Sequence, residues 1–314
     1  MHGDAPEAAS RTPARARKSP ARKPPAATAI NAPMSTFQID CELDYEVAAQ
    51  TVFVFNVAVP DDHRQRVVEE RVELEPSLPW NELFEPATLN RFIRVDVAPG
   101  PFRARYLAVV EVTPTEADIQ APEVPITVLP VDAFTALRGS RYCQSEEVFN
   151  LACRLFGGLA PGFSRVDAIC RWIRVNIDYR VGTSTPNYSA RDVLALRAGV
   201  CRDFAHLAIT FCRALNIPAR FVTGYARYAE PPPDFHAVFE AYLGGRWQLF
   251  DPTDLSPMRD LVRIGTGRDA SEVPFATFFG TARLRRLSAL VEGAPEGSRL
   301  ARLQTPTSGI QLAA

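Results

Sequence analysis

Lysine is nearly missing from this sequence: of 35 basic residues, only Lys18 and Lys23 are lysines. Residues 34–314 carry arginine alone, so self-crosslinking through lysine could use only the first stretch of chain. No Cys-x-x-Cys pair occurs among the six cysteines, Cys41, Cys143, Cys153, Cys170, Cys201 and Cys212. Such scattered thiols in a chain this long argue against a disulfide framework and against a cysteine-based zinc module, and they fit a reducing cytoplasm. No apolar run approaches the roughly 18 residues of a membrane span. Nor does the apolar core of a secretory signal follow the basic N-terminus. No glycine-rich phosphate loop or dinucleotide fingerprint follows a strand pattern, so no nucleotide cofactor is indicated. With 35 basic against 36 acidic residues the net charge is −1, and the absence of a global basic field excludes nucleic-acid binding driven by phosphate contacts.

What is present is an ordinary globular composition, 46% hydrophobic and 23% charged, over a length that suggests about two domains. Residues 1–33 hold six prolines and six basic residues against two acidic ones. They bury too little apolar area to offset ordering entropy, and read as a disordered basic tail. This tail carries +4 and leaves −5 on residues 34–314. The expected organisation is a β-rich domain over 34–130, an α+β domain over 131–292 and a flexible tail over 293–314.

From Phe37 to Val47 apolar and acidic residues alternate, the period of a strand with one wet face. Strand patterns recur over Thr51–Val59, Val67–Leu74, Arg91–Val97, Phe102–Thr113 and Val124–Leu129, separated by turn residues. They predict an antiparallel β-sandwich-like domain ending near Pro130. Helical spacing follows. One helix runs from Ser145 to Gly157-Gly158, and Ser164 with Asp167 reads as a capping box opening another, with Trp172 in its packing stripe. Ser189 with Asp192 opens a third, ending at Gly199. An amphipathic helix starts at Cys201 and stops at Asn216-Ile217-Pro218, where Asn takes the left-handed cap and Pro prevents continuation. A strand over Phe221–Tyr225 precedes a Pro231–Pro233 loop.

The last feature is a hairpin, His236–Leu243 and Arg246–Asp251, turning at Gly244-Gly245. A two-residue loop pairs Leu243 with Arg246, so Glu240 faces Leu249 and Val238 faces Asp251. His236 shares a face with Val238 and is therefore a diagonal neighbour of Asp251, about 7–8 Å away between backbones. Cys201, at the first turn of its helix, meets unpaired N–H groups and the positive dipole end, which favour a thiolate. An imidazole, a carboxylate and a thiol in these settings are the parts of a cysteine-nucleophile triad.

Three motifs carry a resemblance. The run Gly199-Val200-Cys201-Arg202-Asp203-Phe204-Ala205-His206-Leu207 resembles the nucleophile helix of the bacterial transglutaminase-like superfamily. Phe235-His236-Ala237 through Gly244-Gly245-Arg246-Trp247 to Phe250-Asp251-Pro252-Thr253 resembles its His and Asp strands. Gly267-Arg268-Asp269-Ala270 and the leading β-rich domain also fit, so the likeness runs from about Phe37 to Leu290. It implies a papain-like α+β core, with Cys201 as nucleophile, His236 as general base and Asp251 as orienting carboxylate. It implies acyl transfer on peptide, isopeptide or carboxamide bonds through a thioester, with hydrolysis favoured over transfer to an amine. Neither a metal nor an organic cofactor is needed, and the partner is a protein or peptide substrate, not nucleic acid or membrane. One departure is Val238, where the family usually has Trp two residues after the His. A smaller side chain there is expected to leave the His–Asp pair wetter and activity reduced or narrowed. The alternative is a binding or scaffold module that has lost turnover.

Other readings of the same residues are weaker. Five residues after Cys201, His206 lies about 140° round the helix and should pack rather than face the thiol. Asp203 is expected to bind first-turn N–H groups. A zinc site from Cys201, His206, Cys212 and His236 fails on reach, since Cys201 and Cys212 lie about 16 Å apart along one helix. Residues around Tyr188 and Pro231–Pro233 are candidates for a cleft rim.

Overall fold

The computed structural model describes residues 34–227 and 234–303. The basic tail, the Pro231–Pro233 loop and the end of the C-terminal tail lie outside the described residues. Six strands come first: β1 Ser35–Val47, β2 Thr51–Phe55, β3 Gln65–Glu75, β4 Trp80–Glu85, β5 Asn90–Val97 and β6 Gly100–Val112. Helices follow, α1 Val131–Thr135, α2 Phe149–Phe156 and α3 Phe163–Asn176. The two-residue strands β7 Asp178–Tyr179 and β8 Ala198–Gly199 pair in parallel around α4 Ala190–Leu196. Then come α5 Cys201–Ala214, β9 Ala219–Tyr225, β10 Phe235–Leu243, β11 Arg246–Phe250, β12 Val262–Gly267, β13 Ala276–Phe279 and β14 Ala282–Ala294. The fold is mixed α+β. No helix among the described residues is long and apolar enough to cross a membrane.

Two four-stranded antiparallel sheets, ordered β14-β1-β6-β3 and β13-β2-β5-β4, share one apolar core. The alternation read from Phe37 to Val47 becomes its inner face: Phe37, Ile39, Cys41, Leu43, Tyr45 and Val47 are all buried there. Tyr45 meets Phe53 of the other sheet with ring centroids 4.8 Å apart. The chain's far end completes this sandwich. β14 pairs with β1 from Thr36↔Ala294 to Val47↔Ala282, and β13 pairs with β2. The expectation that residues 131–292 belong together, and that a flexible tail starts at 293, is therefore corrected. Alternation shows that Leu287, Ala289 and Val291 have a buried face, but not which distant strand covers it.

The second core lies between helices and the sheet β11-β10-β9-β12. Ala237, Phe239 and Ala241 of β10 face α5 in it. Although read as amphipathic, α5 is buried on every side beyond its first turn, Asp203, His206, Thr210 and Arg213 included. The buried polar groups explain how this is tolerated: Arg213 donates to the carbonyls of Ala219 and Arg268 and to Ser140 Oγ. Asn216 ends the helix region with φ 61°, the left-handed conformation read from the sequence.

Four local expectations change. Residues 124–129 form no strand, because Pro122, Pro125 and Pro130 break the ladder; Ile126–Val128 is a 3₁₀ turn. β4 went unread because this edge strand is exposed throughout and lacks an apolar period. The helix expected from Ser145 begins as a 3₁₀ turn over Ser145–Val148 before α2. Ser164 does not cap α3, which starts at Phe163 behind Gly162 at φ 114°; the Ser164 hydroxyl donates to Ala160 instead. The Ser189–Asp192 capping box is formed.

Candidate active site

Cys201 is the first residue of α5, behind an extended Val200. Asp203 shapes this start by accepting the Val200 N–H at 3.0 Å while Arg202 holds its other oxygen at 3.0 Å. That satisfies a helix-start donor with a buried carboxylate, the role read for Asp203. The close approach explains Gly199, since a Cβ there would sit 2.7 Å from Asp203 Cβ. The thiol itself is half-buried, with its sulfur 3.9 Å from the carbonyl oxygen of Phe235.

The hairpin sets the other two groups. Gly244 and Gly245 both have positive φ, 59° and 82°, as a tight two-residue turn requires. Pairing then runs Leu243↔Arg246, Glu240↔Leu249 and Phe239↔Phe250. This is the register read from the turn, and it brings His236 Nε2 to 2.9 Å from Asp251 Oδ2. Asp251 is fixed on its other side: Oδ1 accepts the Thr253 N–H at 2.8 Å and the Thr253 hydroxyl at 2.6 Å. Arg174 Nη1 donates to the Asp251 carbonyl at 3.3 Å. The adjacent Cys201 thiol acts on the ring's charge together with Asp251. Cys201 and His236 line one cleft, and Asp251 holds the His236 ring.

Electrostatics follows from these contacts. Burial opposes a charged imidazole, but the bond to Asp251 and the adjacent Cys201 outweigh it and push His236 up to about 10. Asp251 is likewise opposed by burial, and His236 with Thr253 holds its carboxyl below the usual range. The wetter pair expected from Val238 is not found. The His236 and Asp251 side chains are 0% and 3% exposed, and Val238 is buried in an apolar cluster with Val222, Ala226 and Leu261.

Sequence reasoning missed Thr253 as the group that orients Asp251, although Asp-Pro-Thr carries the signal of a side chain bonding its backbone two residues on. It also missed the cleft wall. The cleft around Cys201 is lined by Gly182, Ser184, Thr185 and Pro186, not by Tyr188, and by Val273, Pro274, Phe275 and Ala276. His206 packs as expected, stacked on Tyr142 at 4.9 Å with planes 17° apart. Its Nε2 accepts the Ala270 N–H at 3.1 Å.

With the geometry in hand, the family can be stated. Residues 150–252 match the transglutaminase-like superfamily core, a span that includes Cys201, His236 and Asp251. Residues 35–132 match the bacterial transglutaminase N-terminal domain. A crystal structure named "Putative Cysteine Protease from Cytophaga hutchinsonii" superposes with a TM-score of 0.80 at 36% identity, over 90% of this chain and 98% of that one. The chain belongs to the transglutaminase-like superfamily. Among its relatives is "Uncharacterized protein ML0607" of Mycobacterium leprae (strain TN), 30% identical over 220 residues, 66% of this chain and 63% of that protein. Another is "Uncharacterized protein Mb2599c" of Mycobacterium bovis, 36% identical over 118 residues and matched over 37% of its length. The chain thus spans less than two thirds of the length of these two relatives.

Proposed function

We propose that this transglutaminase-like chain is a cysteine-dependent acyl-transfer enzyme that opens peptide, isopeptide or carboxamide bonds through a thioester and resolves it with water. One observation carries the reading: His236, bonded through Nε2 to the oriented carboxylate of Asp251 at 2.9 Å, lines one cleft with Cys201, whose sulfur lies 3.9 Å from the carbonyl oxygen of the preceding Phe235. Cys201 is the nucleophile, His236 the general acid and base, and Asp251 the group that fixes the ring. With Nε2 committed to Asp251, Nδ1 is the nitrogen that serves the sulfur. A ring that keeps its proton through neutral pH is the cation a thiolate needs beside it.

The thiolate forms a bond to the carbonyl carbon as the carbonyl electron pair moves onto oxygen. Unpaired N–H groups at the start of α5, that of Cys201 included, stabilise the oxyanion. Collapse breaks the carbon–nitrogen bond while the Nδ1 proton passes to the leaving amine, giving a thioester and a neutral ring. A water molecule then gives a proton to His236 as its oxygen attacks the thioester. Release of the acid restores thiolate and imidazolium. An amine in place of water would give transamidation. A binding module without turnover, the alternative suggested by Val238 and the β-rich domain, would show no fast-reacting thiol. Six free thiols suit the reducing cytoplasm we propose as its setting.

Iodoacetamide labelling followed by intact mass tests this reading, with exposed Cys153 as internal control. One fast thiol near neutral pH is expected, lost in Cys201→Ala and slowed in His236→Ala. Labelling no faster than free cysteine and indifferent to His236→Ala would sink it. An unbiased peptide library treated with the wild type and Cys201→Ala then separates hydrolysed from amine-joined products.

A further inference from the structure

The lining of the cleft beside Cys201 is of two chemistries. The cleft has a volume of about 580 Å³. Among its lining, Ser184 and Thr185 present a hydroxyl and a carbonyl, both engaged by Arg202, which Asp203 also holds. The lining also includes Phe235, Pro274, Phe275 and Ala276, all half-buried. Phe235 and Phe275 stack with centroids 5.2 Å and planes 16° apart. Rings half-covered by protein keep apolar area that a ligand can remove from water. Asp234 is the acidic residue of the cleft; it accepts the Phe235 N–H at 2.6 Å, and burial pushes its carboxyl up.

The aromatic part of this lining is seated on the sandwich. Phe235, Phe275 and Ala276 pack against the sandwich core, where the Tyr225 ring lies 5.6 Å from that of Phe235. The Phe275 carbonyl accepts the N–H of Asn56, the residue that follows β2, at 3.0 Å. Phe235 also links wall to chemistry, since its carbonyl is the one beside the Cys201 sulfur.

We propose that the cleft selects acyl donors with a large apolar side chain, aromatic above all, next to the reacting carbonyl, and that the β-rich domain serves catalysis as the seat of the wall that binds it. This rests on the reading of Cys201 as nucleophile. A charged side chain would lose its hydration against stacked rings that return no hydrogen bond.

Four N-acetyl aminoacyl chloromethyl ketones, of phenylalanine, glycine, aspartate and arginine, test it on the full chain. Each alkylates the sulfur with loss of chloride, and rates at Cys201 are read by intact mass and divided by the rate with free cysteine. The phenylalanine probe is expected to react at least about tenfold faster than the glycine probe, and both charged probes more slowly than glycine. Phe275→Ala is expected to bring the phenylalanine-to-glycine ratio down to about twofold. Equal normalised rates, or a charged probe fastest, overturn the inference while a fast iodoacetamide reaction leaves the nucleophile standing. Slow reaction with iodoacetamide as well overturns the reading of the site and the inference with it. The wild-type order decides the matter even if the variant does not fold.

Discussion

His206 and His236 are both wholly buried, yet their surroundings shift the two rings in opposite directions. Around His206 burial prevails, helped by Arg202 and Arg213 against the pull of Asp269, and the ring is pushed down to about 3. Its Nε2 accepts an amide N–H, so the neutral ring carries its proton on Nδ1, which has no hydrogen-bond partner among the described residues. Around His236 the same burial is outweighed by Asp251 and Cys201, and the ring is pushed up to about 10. Burial by itself therefore does not set the state of an imidazole. Whether neighbouring groups oppose burial strongly enough, as Asp251 and Cys201 do at His236 and Asp269 does not at His206, decides the sign.

The largest expected effect removes what distinguishes the two sites. Asp251→Ala leaves His236 buried without its counter-charge and should cost about 3–5 kcal/mol of stability, read by urea denaturation. Asp251→Asn, which keeps the shape, should slow acyl transfer by about 10²–10⁴-fold, read with any substrate found in the library.

The two rings should also leave opposite marks on the pH dependence of stability. His236 is raised in the folded state, so its contribution is complete below about pH 6.5 and is lost as pH rises toward about 10. His206 is lowered, so its contribution is complete above about pH 6.5 and is lost as pH falls toward about 3. Each limb is worth about a few kcal/mol. Denaturation series from pH 4 to 10 on wild type, His206→Phe and His236→Gln check this. Each variant should flatten only its own limb, and a variant that flattens the other limb would break the comparison.

His206→Phe keeps the stacking shape but leaves the Ala270 N–H unpaired, which should cost about 1–3 kcal/mol at neutral pH, read by thermal unfolding. Val238→Trp should cost a similar 1–3 kcal/mol, because it overpacks a closed apolar cluster. It should not speed iodoacetamide labelling, since the His–Asp pair is already dry. Ser189→Ala, at the cap of α4, should cost only about 1 kcal/mol.

Much of the site was legible because its signals are local or periodic. Gly244-Gly245 sets a two-residue turn, the turn sets the register, and the register puts His236 near Asp251. Cys201 was legible from the break at Gly199-Val200 followed by helical spacing. The alternation from Phe37 to Val47 showed its inner face directly. What was not legible depends on partners far along the chain. Nothing in Ala282–Ala294 says that it pairs with Ser35–Val47, some 250 residues away. The dryness of the His–Asp pair could not be read from Val238 alone, because Leu261, Leu249 and Met258 also pack there. Phe235 and Phe275 read as ordinary apolar residues until folding stacks them beside the sulfur.

The shortage of lysine, the scattered thiols, the hairpin register and the helix start at Cys201 were fixed by the sequence alone, because turn geometry and side-chain period act over a few residues. Only tertiary structure decided in which direction each buried histidine is shifted, which strands close the sandwich and which wall faces the thiol. Those outcomes depend on desolvation and contact between distant segments, and both arise only when the chain folds.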